Sequence, residues 1–445
     1  MRKPRLCLAA LFLAVVASGV GSSVGSAPQE PVEQIVIGGV TPRFAVPECV
    51  PRTPDEQTQQ ACRTITQVLR NDLRFERLFQ FVPDSLLAAV PPLNPEAPVF
   101  EDWQGIGARI LVVTRAGLDN DELTVEVRVY FVDSGQTMLA RRYSGRPDNP
   151  RIFAHQASDD IMTLTQYKGV ARTRIAFSSD RDSTAQKRSK ELYIVDYDGF
   201  NPRRVTVNGS LNILPEWSPD GLSLAYVSYR RVTPLIFLAR IFEGKSVANV
   251  TGERENSQAF APAFSPDGQR IAYASTRAGN MDVWVAGVDG SSPRRLTTTR
   301  ALDTAPCWSP TGQEIAFTSS RTGTPQLYVM SDEGLNVRRL TTVGSYNDGC
   351  AWSSARQFSE IAYTSRLETG GFDIAVIDLA TRQVRQITRG RGSCEYPTWS
   401  PNGRHLAFSC ERRGTWAITV SDREGRSLKR LATGAGNNVQ PAWGP

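Results

Sequence analysis

Pro262-Ala263-Phe264-Ser265-Pro266-Asp267-Gly268 is one of six related stretches, and their spacing decides the fold. The other five copies centre on Pro215-Glu216-Trp217, Pro306-Cys307-Trp308, Cys350-Ala351-Trp352, Pro397-Thr398-Trp399 and Pro441-Ala442-Trp443. Their aromatic residues lie 47, 44, 44, 47 and 44 positions apart. A fixed period in that range marks a four-stranded unit that cannot bury its faces alone and stacks against copies of itself. Ser-Pro-Asp-Gly supplies the hairpin after the aromatic, because Asp-Gly and Asn-Gly accept positive φ. A second element recurs behind it: Ile175-Ala176-Phe177, Leu224-Ala225-Tyr226, Ile271-Ala272-Tyr273, Ile315-Ala316-Phe317, Ile361-Ala362-Tyr363 and Leu406-Ala407-Phe408. Third strands such as Leu327-Tyr328-Val329 and fourth strands ending like Arg339-Leu340-Thr341 complete each sheet.

The phase of the two ends predicts closure. The first unit, Arg172 to Thr206, lacks its Pro-x-Trp strand, and Val439 to Trp443 is that strand with nothing after it. A ring in which the last strand completes the first sheet hides the edges an open stack would expose. The expected fold class is therefore an α+β N-terminal domain followed by an all-β six-bladed propeller closed by the C-terminal strand. The expected boundaries are 1–26 for a signal peptide, 27–165 for the α/β domain and 166–445 for the propeller.

Arg2, Lys3 and Arg5 precede an apolar run from Leu6 to about Val20, and small residues follow to Ala27. That is an export signal, too short to span a bilayer, which needs about 20 residues. No lipid-accepting cysteine follows the run. The chain carries a formal +6, and removing the three signal cations leaves +3, which is not a nucleic-acid-binding balance. Arg203-Arg204, Arg294-Arg295 and Arg338-Arg339 recur at one repeat position and read as solvated outer-strand residues.

In the first domain, a strand is expected over Gln34 to Ile37 and a helix over Pro54 to Leu73, capped by Thr53 or Asp55. Strands are expected at Ile110 to Thr114, Leu123 to Tyr130 and Thr137 to Arg142, with turns at Gly117 to Asn120 and Asp133 to Gly135. A second helix is expected over Ile152 to Thr165, and Val90 to Pro98 reads as a loop.

Six of the seven cysteines remain after signal removal, an even number suited to an oxidising compartment. If Trp399 pairs near Leu406, Cys394 falls opposite Cys410 or one residue away, close enough for a bridge. Cys49 and Cys62 are plausible partners in the first domain. Cys307 and Cys350 sit on neighbouring inner strands and either face each other or point apart. Zinc is disfavoured by the lack of any Cys-x-x-Cys pair and by a supply of two histidines.

No catalytic constellation emerges. His155 and His405 read as structural, and neither lies near a nucleophile elbow. Gly21-Ser22-Ser23-Val24-Gly25 falls in the signal region. Asp196-Tyr197-Asp198-Gly199 lacks the further ligands of a calcium loop. No cofactor or metal is expected, and the chain is read as binding without catalysis. Binding falls to the loops leading into the inner strands, where the strand starts gather around a central funnel. The candidates are Ile213, Gln258, Phe260, Ala261, Asp303, Thr304, Asn347, Asp348, Glu395, Tyr396 and Asn438, a mixture that suits protein docking.

Signal, α/β domain and Trp-Ser-Pro-Asp-Gly ring together resemble the TolB family of periplasmic Tol–Pal components. The resemblance covers essentially the whole mature chain. It rests most specifically on Lys168-Gly169-Val170-Ala171-Arg172-Thr173-Arg174-Ile175-Ala176-Phe177, on Pro262 to Gly268 and on Val32 to Val40. It implies a periplasmic, non-enzymatic scaffold, monomeric, bound to membranes only through partners and supporting outer-membrane integrity and constriction at cell division. It further implies docking of a Pal-like peptidoglycan-associated lipoprotein on the funnel, where Gln258, Ala261 and Thr304 hold family-like positions. A TolA-like inner-membrane protein would bind residues 29–41 through Val32, Gln34, Ile35, Val36, Ile37, Gly38 and Val40, by adding a strand to its sheet. The chain departs from the family pattern at Pro42, around Cys49 to Cys62, from Arg181 to Lys190 and at Trp352-Ser353-Ser354-Ala355, which loses the Pro-Asp-Gly turn. The competing readings are an exported propeller hydrolase, acting on peptides or glycans, and a glycan-sensing propeller.

Overall fold

The computed structural model describes residues 42–445 apart from 232, 244, 252–256, 368, 369 and 391. The signal region, the strand expected over Gln34 to Ile37 and the 29–41 segment lie outside the described residues. The chain divides at Ala171/Arg172 into two compact units.

In the first unit, β1 (Arg43–Ala45), β2 (Val50–Pro51) and β3 (Gln80–Phe81) join a meander of β4 (Ile110–Asp119), β5 (Glu122–Phe131) and β6 (Gln136–Gly145). The sheet order is β3-β1-β4-β5-β6, with β2 also on β4. Helix α1 (Glu56–Glu76) starts where the Asp55 side chain accepts the Thr58 N–H, 2.7 Å away, and ends where Arg77 turns left-handed at φ 55°. Ile65, Leu69 and Leu73 on one stripe of α1 are fully buried, as 3.6-residue periodicity requires. Helices α2 (Asp84–Leu87) and α3 (Phe100–Gly105) were not legible in the sequence, and α4 (Arg151–Met162) closes the unit. Trp103 of α3 packs on Leu111, Val113 and Tyr130, joined by Leu93 of the proline-rich loop.

The turn expected at Gly117 to Asn120 lies later, at Asn120-Asp121, where φ is 51° and 63°. Gly117 is instead a strand residue facing Thr124. A Cβ there would come within 2.8 Å of the Arg52 Cβ, so the glycine serves close approach of β2 rather than a turn. The Val170 N–H donates to Glu76 and the Ala171 N–H to Asp159, at 3.1 and 2.9 Å. Two helix carboxylates thus pin the last backbone of this unit.

The second unit is six four-stranded sheets. Blade 1 is Arg174–Ser179, Glu191–Asp196 and Arg203–Arg204, with Asn438–Gly444 from the chain end as its inner strand. Trp443 pairs with Ile175 and Asn438 with Ser179, so the ring closes non-covalently. The inner strands of blades 2 to 6 are Asn212–Trp217, Ala259–Phe264, Asp303–Trp308, Tyr346–Trp352 and Cys394–Trp399. Their second strands are Ser223–Ser228, Arg270–Ser275, Glu314–Ser319, Glu360–Arg366 and His405–Arg412.

Three repeated devices hold blade to blade. Three of the tryptophans that follow Pro-x donate their indole N–H to the preceding blade: Trp217 to the Ala442 carbonyl, Trp308 to Ala263 and Trp399 to Ala351. In the Ser-Pro-Asp-Gly turn, Ser265 donates to Asp267, which accepts the Gln269 N–H, and that hydrogen bonding holds the Asp267 carboxyl below its ordinary value. Pro219 and Pro266 of successive turns then rest against Gly268 and Gly312 of the next. In blade 5, which lost that turn, Ala355 and Phe358 are buried instead, and Gly403 of blade 6 packs against both.

The third device is a buried latch. In blade 1, Glu191 is fully buried and accepts from Thr206 Oγ1 (2.5 Å), Asn212 Nδ2 (3.0 Å), the Gly209 N–H (2.6 Å) and Arg204 Nη2 (3.2 Å). Gln326 plays the same part with Thr341 and Asn347, and Asp373 with Thr388. The arginine pairs lie on outer strands and stay largely exposed, as expected, and the second arginine of two pairs also reaches inward, Arg204 to the buried carboxylate of Glu191 and Arg295 to that of Asp282.

The second strands carry a signature that the sequence reading did not use, Ser-x-Arg, at Ser179, Ser228, Ser275 and Ser319. Ser228 donates to Asn212 and Ser365 to Asn347, across the same register position. The arginines stack on third-strand rings, Arg230 over Phe237 at 3.6 Å and Arg181 over Tyr193 at 4.0 Å.

Among the described residues, three disulfides are present. Cys49–Cys62 ties β2's approach to α1, Cys307–Cys350 staples blade 4 to blade 5, and Cys394–Cys410 spans the first hairpin of blade 6. Cys394 and Cys410 face each other at the register that Asn347 and Ser365 occupy in blade 5. The bridge stands where other blades hydrogen-bond. Replacing both by alanine should cost about 3 kcal/mol for a loop of this size. Cys394→Asn with Cys410→Ser should recover about 1 kcal/mol of that by remaking the hydrogen bond. Denaturant unfolding of the two variants checks the difference, and equal midpoints would reject the equivalence.

Candidate functional site

Every inner strand breaks register at one place, between Ile213 and Glu216, Phe260 and Ala263, Thr304 and Cys307, Asp348 and Ala351, Glu395 and Thr398, and Val439 and Ala442. The residue at each break is left-handed: Leu214 at φ 52°, Ala261 at 48°, Ala305 at 44°, Gly349 at 64°, Tyr396 at 59° and Gln440 at 56°. Five of these six precede proline, where extended backbone is the norm, and none of the five is glycine. Where proline gives way to Cys350, glycine takes the position. Bulges re-aim side chains, and strain held in repeated copies is a feature of functional surfaces.

Neighbouring blades hold the bulges open. The Gly349 N–H donates to Thr318 Oγ1, Tyr396 to Thr364 Oγ1 and Gln440 to Ser409 Oγ, at 3.3, 3.1 and 2.8 Å. The Leu214 N–H donates to Gln440 Oε1.

The six bulges ring a central channel of about 700 Å³. Its neck is Leu214, Phe260, Ala261, Thr304, Asp348 and Tyr396, and prolines and tryptophans line its far end. Among the described residues, two that line it are charged, Glu216 and Asp348, and both are acids. Burial pushes the Glu216 carboxyl up to about 8. Burial, and then the Asp348 carboxylate, push Glu395 upward at the rim. Tyr346 donates to Asp348 at 3.0 Å.

Of the residues expected to dock a partner, Phe260, Ala261, Thr304, Asp348 and Tyr396 line this channel. Gln258 is exposed and Glu395 half-buried beside it. Ile213 packs under blades 2 and 3, beside Ala225 and Tyr273. Asp303, Asn347 and Asn438 are corrected: all three are buried in the walls. Asp303 pairs with Arg321, Asn347 latches to Gln326, and Asn438 accepts from Arg181. A polar residue at a strand start reads as exposed until the cross-blade partner is known. Leu214 and Gln440 end two of the loops expected to bind, 212–214 and 437–440, and both line the channel, whereas Glu216 was missed. Glu216 is marked only by its position, the x of a Pro-x-aromatic stretch, and not by any residue type shared with the other copies.

His155 lies in α4, where Nδ1 is 2.7 Å from Asp72. His405 is buried in blade 6, its ring 6.4 Å from that of Trp443. Neither lines the channel. Among the described residues, no group of three His, Cys, Asp or Glu is placed to hold a metal.

A family model described as the TolB beta propeller domain matches residues 161–445, and one described as the TolB amino-terminal domain matches residues 34–138. A Tol-Pal system protein TolB of Desulfosudis oleivorans is 30% identical over 258 residues, which cover 57% of this chain and 57% of that protein. One from a Ruegeria species is 34% identical over 265 residues, covering 59% of this chain and 58% of that protein. The chain thus matches a little over half the length of these curated relatives. The crystal structure of TolB from Acinetobacter baumannii superimposes with a TM-score of 0.77 at 25% identity, covering 91% of this chain and 96% of that one. The propeller model alone accounts for more than half of the sequence, and the chain belongs to the TolB family.

Proposed function

We propose that this Tol–Pal system protein is a non-enzymatic periplasmic scaffold. It docks the outer-membrane lipoprotein Pal on the channel mouth and TolA through residues 29–41, and so supports outer-membrane integrity and constriction at division. The observation that carries this reading is the ring of strained bulges, which presents small and apolar groups around an open neck. The placement of both histidines away from the channel supports binding over hydrolysis. Among the described residues, no helix is long and apolar enough to cross a membrane, in keeping with attachment through partners. Domain limits of 27–165 and 166–445, with a signal over 1–26 and a monomeric state, complete the proposal.

Tyr396 is the exposed aromatic at the neck and the natural anchor. Tyr396→Ala should weaken Pal binding by about 30-fold, corresponding to about 2 kcal/mol for a central aromatic. Titration calorimetry with the soluble domain of the organism's own Pal checks this, alongside an unchanged melting temperature. Deleting residues 29–41 should abolish TolA capture and leave a Pal-binding propeller. Failure of the full chain to capture Pal from its own envelope would overturn the reading.

A further inference from the structure

Glu216 holds the position taken by Ala263, Cys307, Ala351, Thr398 and Ala442 in the other inner strands. It faces Ala225, as those residues face alanines, so nothing in the blade's own pairing calls for a carboxylate. Its side chain lies along a channel wall that, among the described residues, offers no Lys, Arg or His. The elements packed against this strand supply no free cation either. The second strand of blade 2 and the inner strands of blades 1 and 3 carry no charged residue. On the adjoining strands of blade 1, Arg174 is spent on Asp196, and Glu191 is enclosed in its latch. The second lining carboxylate, Asp348, stands at the neck, with Glu395 beside it. In a chain of net +6, a channel lined by two carboxyl groups and, among the described residues, no cation is a local feature and not a consequence of overall charge.

The neck that leads to Glu216 presents the apolar surfaces of Leu214, Phe260 and Tyr396 beside the Asp348 carboxylate. A group that is apolar along its length and cationic at its tip matches both parts of this path. We propose that the docking partner inserts a lysine or arginine side chain into the channel, its stem against the neck and its cationic head on the Glu216 carboxylate. The inference rests on the channel mouth being the docking face. It adds the chemistry of the occupant, and it explains why a single blade carries an acid.

The pairing has a sign in pH. In the free protein, burial holds the Glu216 carboxyl at about 8, so at neutral pH it carries a proton. A bound cation favours the ionised form, so binding releases that proton. Affinity then rises with pH up to about 8, by up to about tenfold per unit, and levels off above it.

The test is calorimetric titration of the full chain with the soluble domain of its Pal at pH 6, 7 and 8, in two buffers of different ionisation enthalpy. The wild type should gain affinity with pH and release close to one proton at neutral pH. Glu216→Gln should flatten the profile, while Glu395→Gln at the rim should keep it. A firm complex whose affinity ignores pH, or a slope lost in Glu395→Gln and kept in Glu216→Gln, overturns this inference and leaves Pal docking intact. Calcium alone binding to the wild type, but not to Glu216→Gln, would assign the carboxylate to a free ion and also overturn it. Absence of any complex, by contrast, strikes the docking reading itself.

Discussion

A chain ending at residue 438 is expected to lose its first blade. Residues 439–445 place Val439, Ala442 and Trp443 in the core and supply the only inner strand that blade 1 has. Trp443 donates its indole N–H to Thr173 Oγ1 at 2.8 Å, and its backbone N–H donates to Thr398 of blade 6, so it ties both sides of the closure. Removing a buried tryptophan costs about 3–5 kcal/mol on its own. The truncation also exposes the edge of Arg174–Ser179, leaves Trp217 without its acceptor at Ala442, and uncovers the Gly221 turn packed on Pro445. At about 2–4 °C per kcal/mol, the propeller transition should fall by about 10 °C or more. Proteolysis should begin between residues 172 and 206. Calorimetry and mass mapping of the first cuts check both, and an unchanged melt would refute the closure.

Glu191→Ala should be nearly as damaging. The carboxylate is wholly enclosed, with Arg204, Thr206, Gly209 and Asn212 all donating to it. Alanine takes the acceptor from the Thr206 hydroxyl and the Gly209 N–H, while Asn212 keeps Lys190 and Asn208 as acceptors and Arg204 keeps Asp182. Each donor left unsatisfied in this enclosure costs about 1–3 kcal/mol, and the part-exposed Arg204 adds little. Glu191→Gln keeps an acceptor oxygen, the solution that blade 4 adopts at Gln326, and should recover a large part of that loss. Urea unfolding of the two variants measures the difference. Equal losses would show that the charge, and not the latch geometry, sets the stability.

What the sequence made legible follows from what repeats by residue type. Pro-x-Trp, Asp-Gly and Ile-Ala-Phe each impose one local geometry, so their period gave the sheets, and the unmatched strand at each end gave the closure. The bulges were hidden because Leu214, Ala261, Ala305, Tyr396 and Gln440 share no chemistry, and each stands before proline, where extended backbone is the usual outcome. Asp303, Asn347 and Asn438 misled because polarity was read as exposure, while partners from distant positions such as Arg321 and Gln326 bury them. Glu216 was quoted within its motif and passed over, since a lone acid on a strand has no local signature. In the first unit, Gly117 was read as a turn because the approach of Arg52 is not local in sequence.

The most direct measurement of whether the channel mouth is the docking face is photo-crosslinking in the native envelope, with the reactive side chain placed at one of two phenylalanines. Phe260 stands at the neck, where the inner strands begin. Phe242 is exposed in the turn after Leu235–Arg240, at the opposite end of its blade. The account predicts a lipoprotein adduct from position 260 and none from position 242. An adduct from 242 without one from 260 would contradict it.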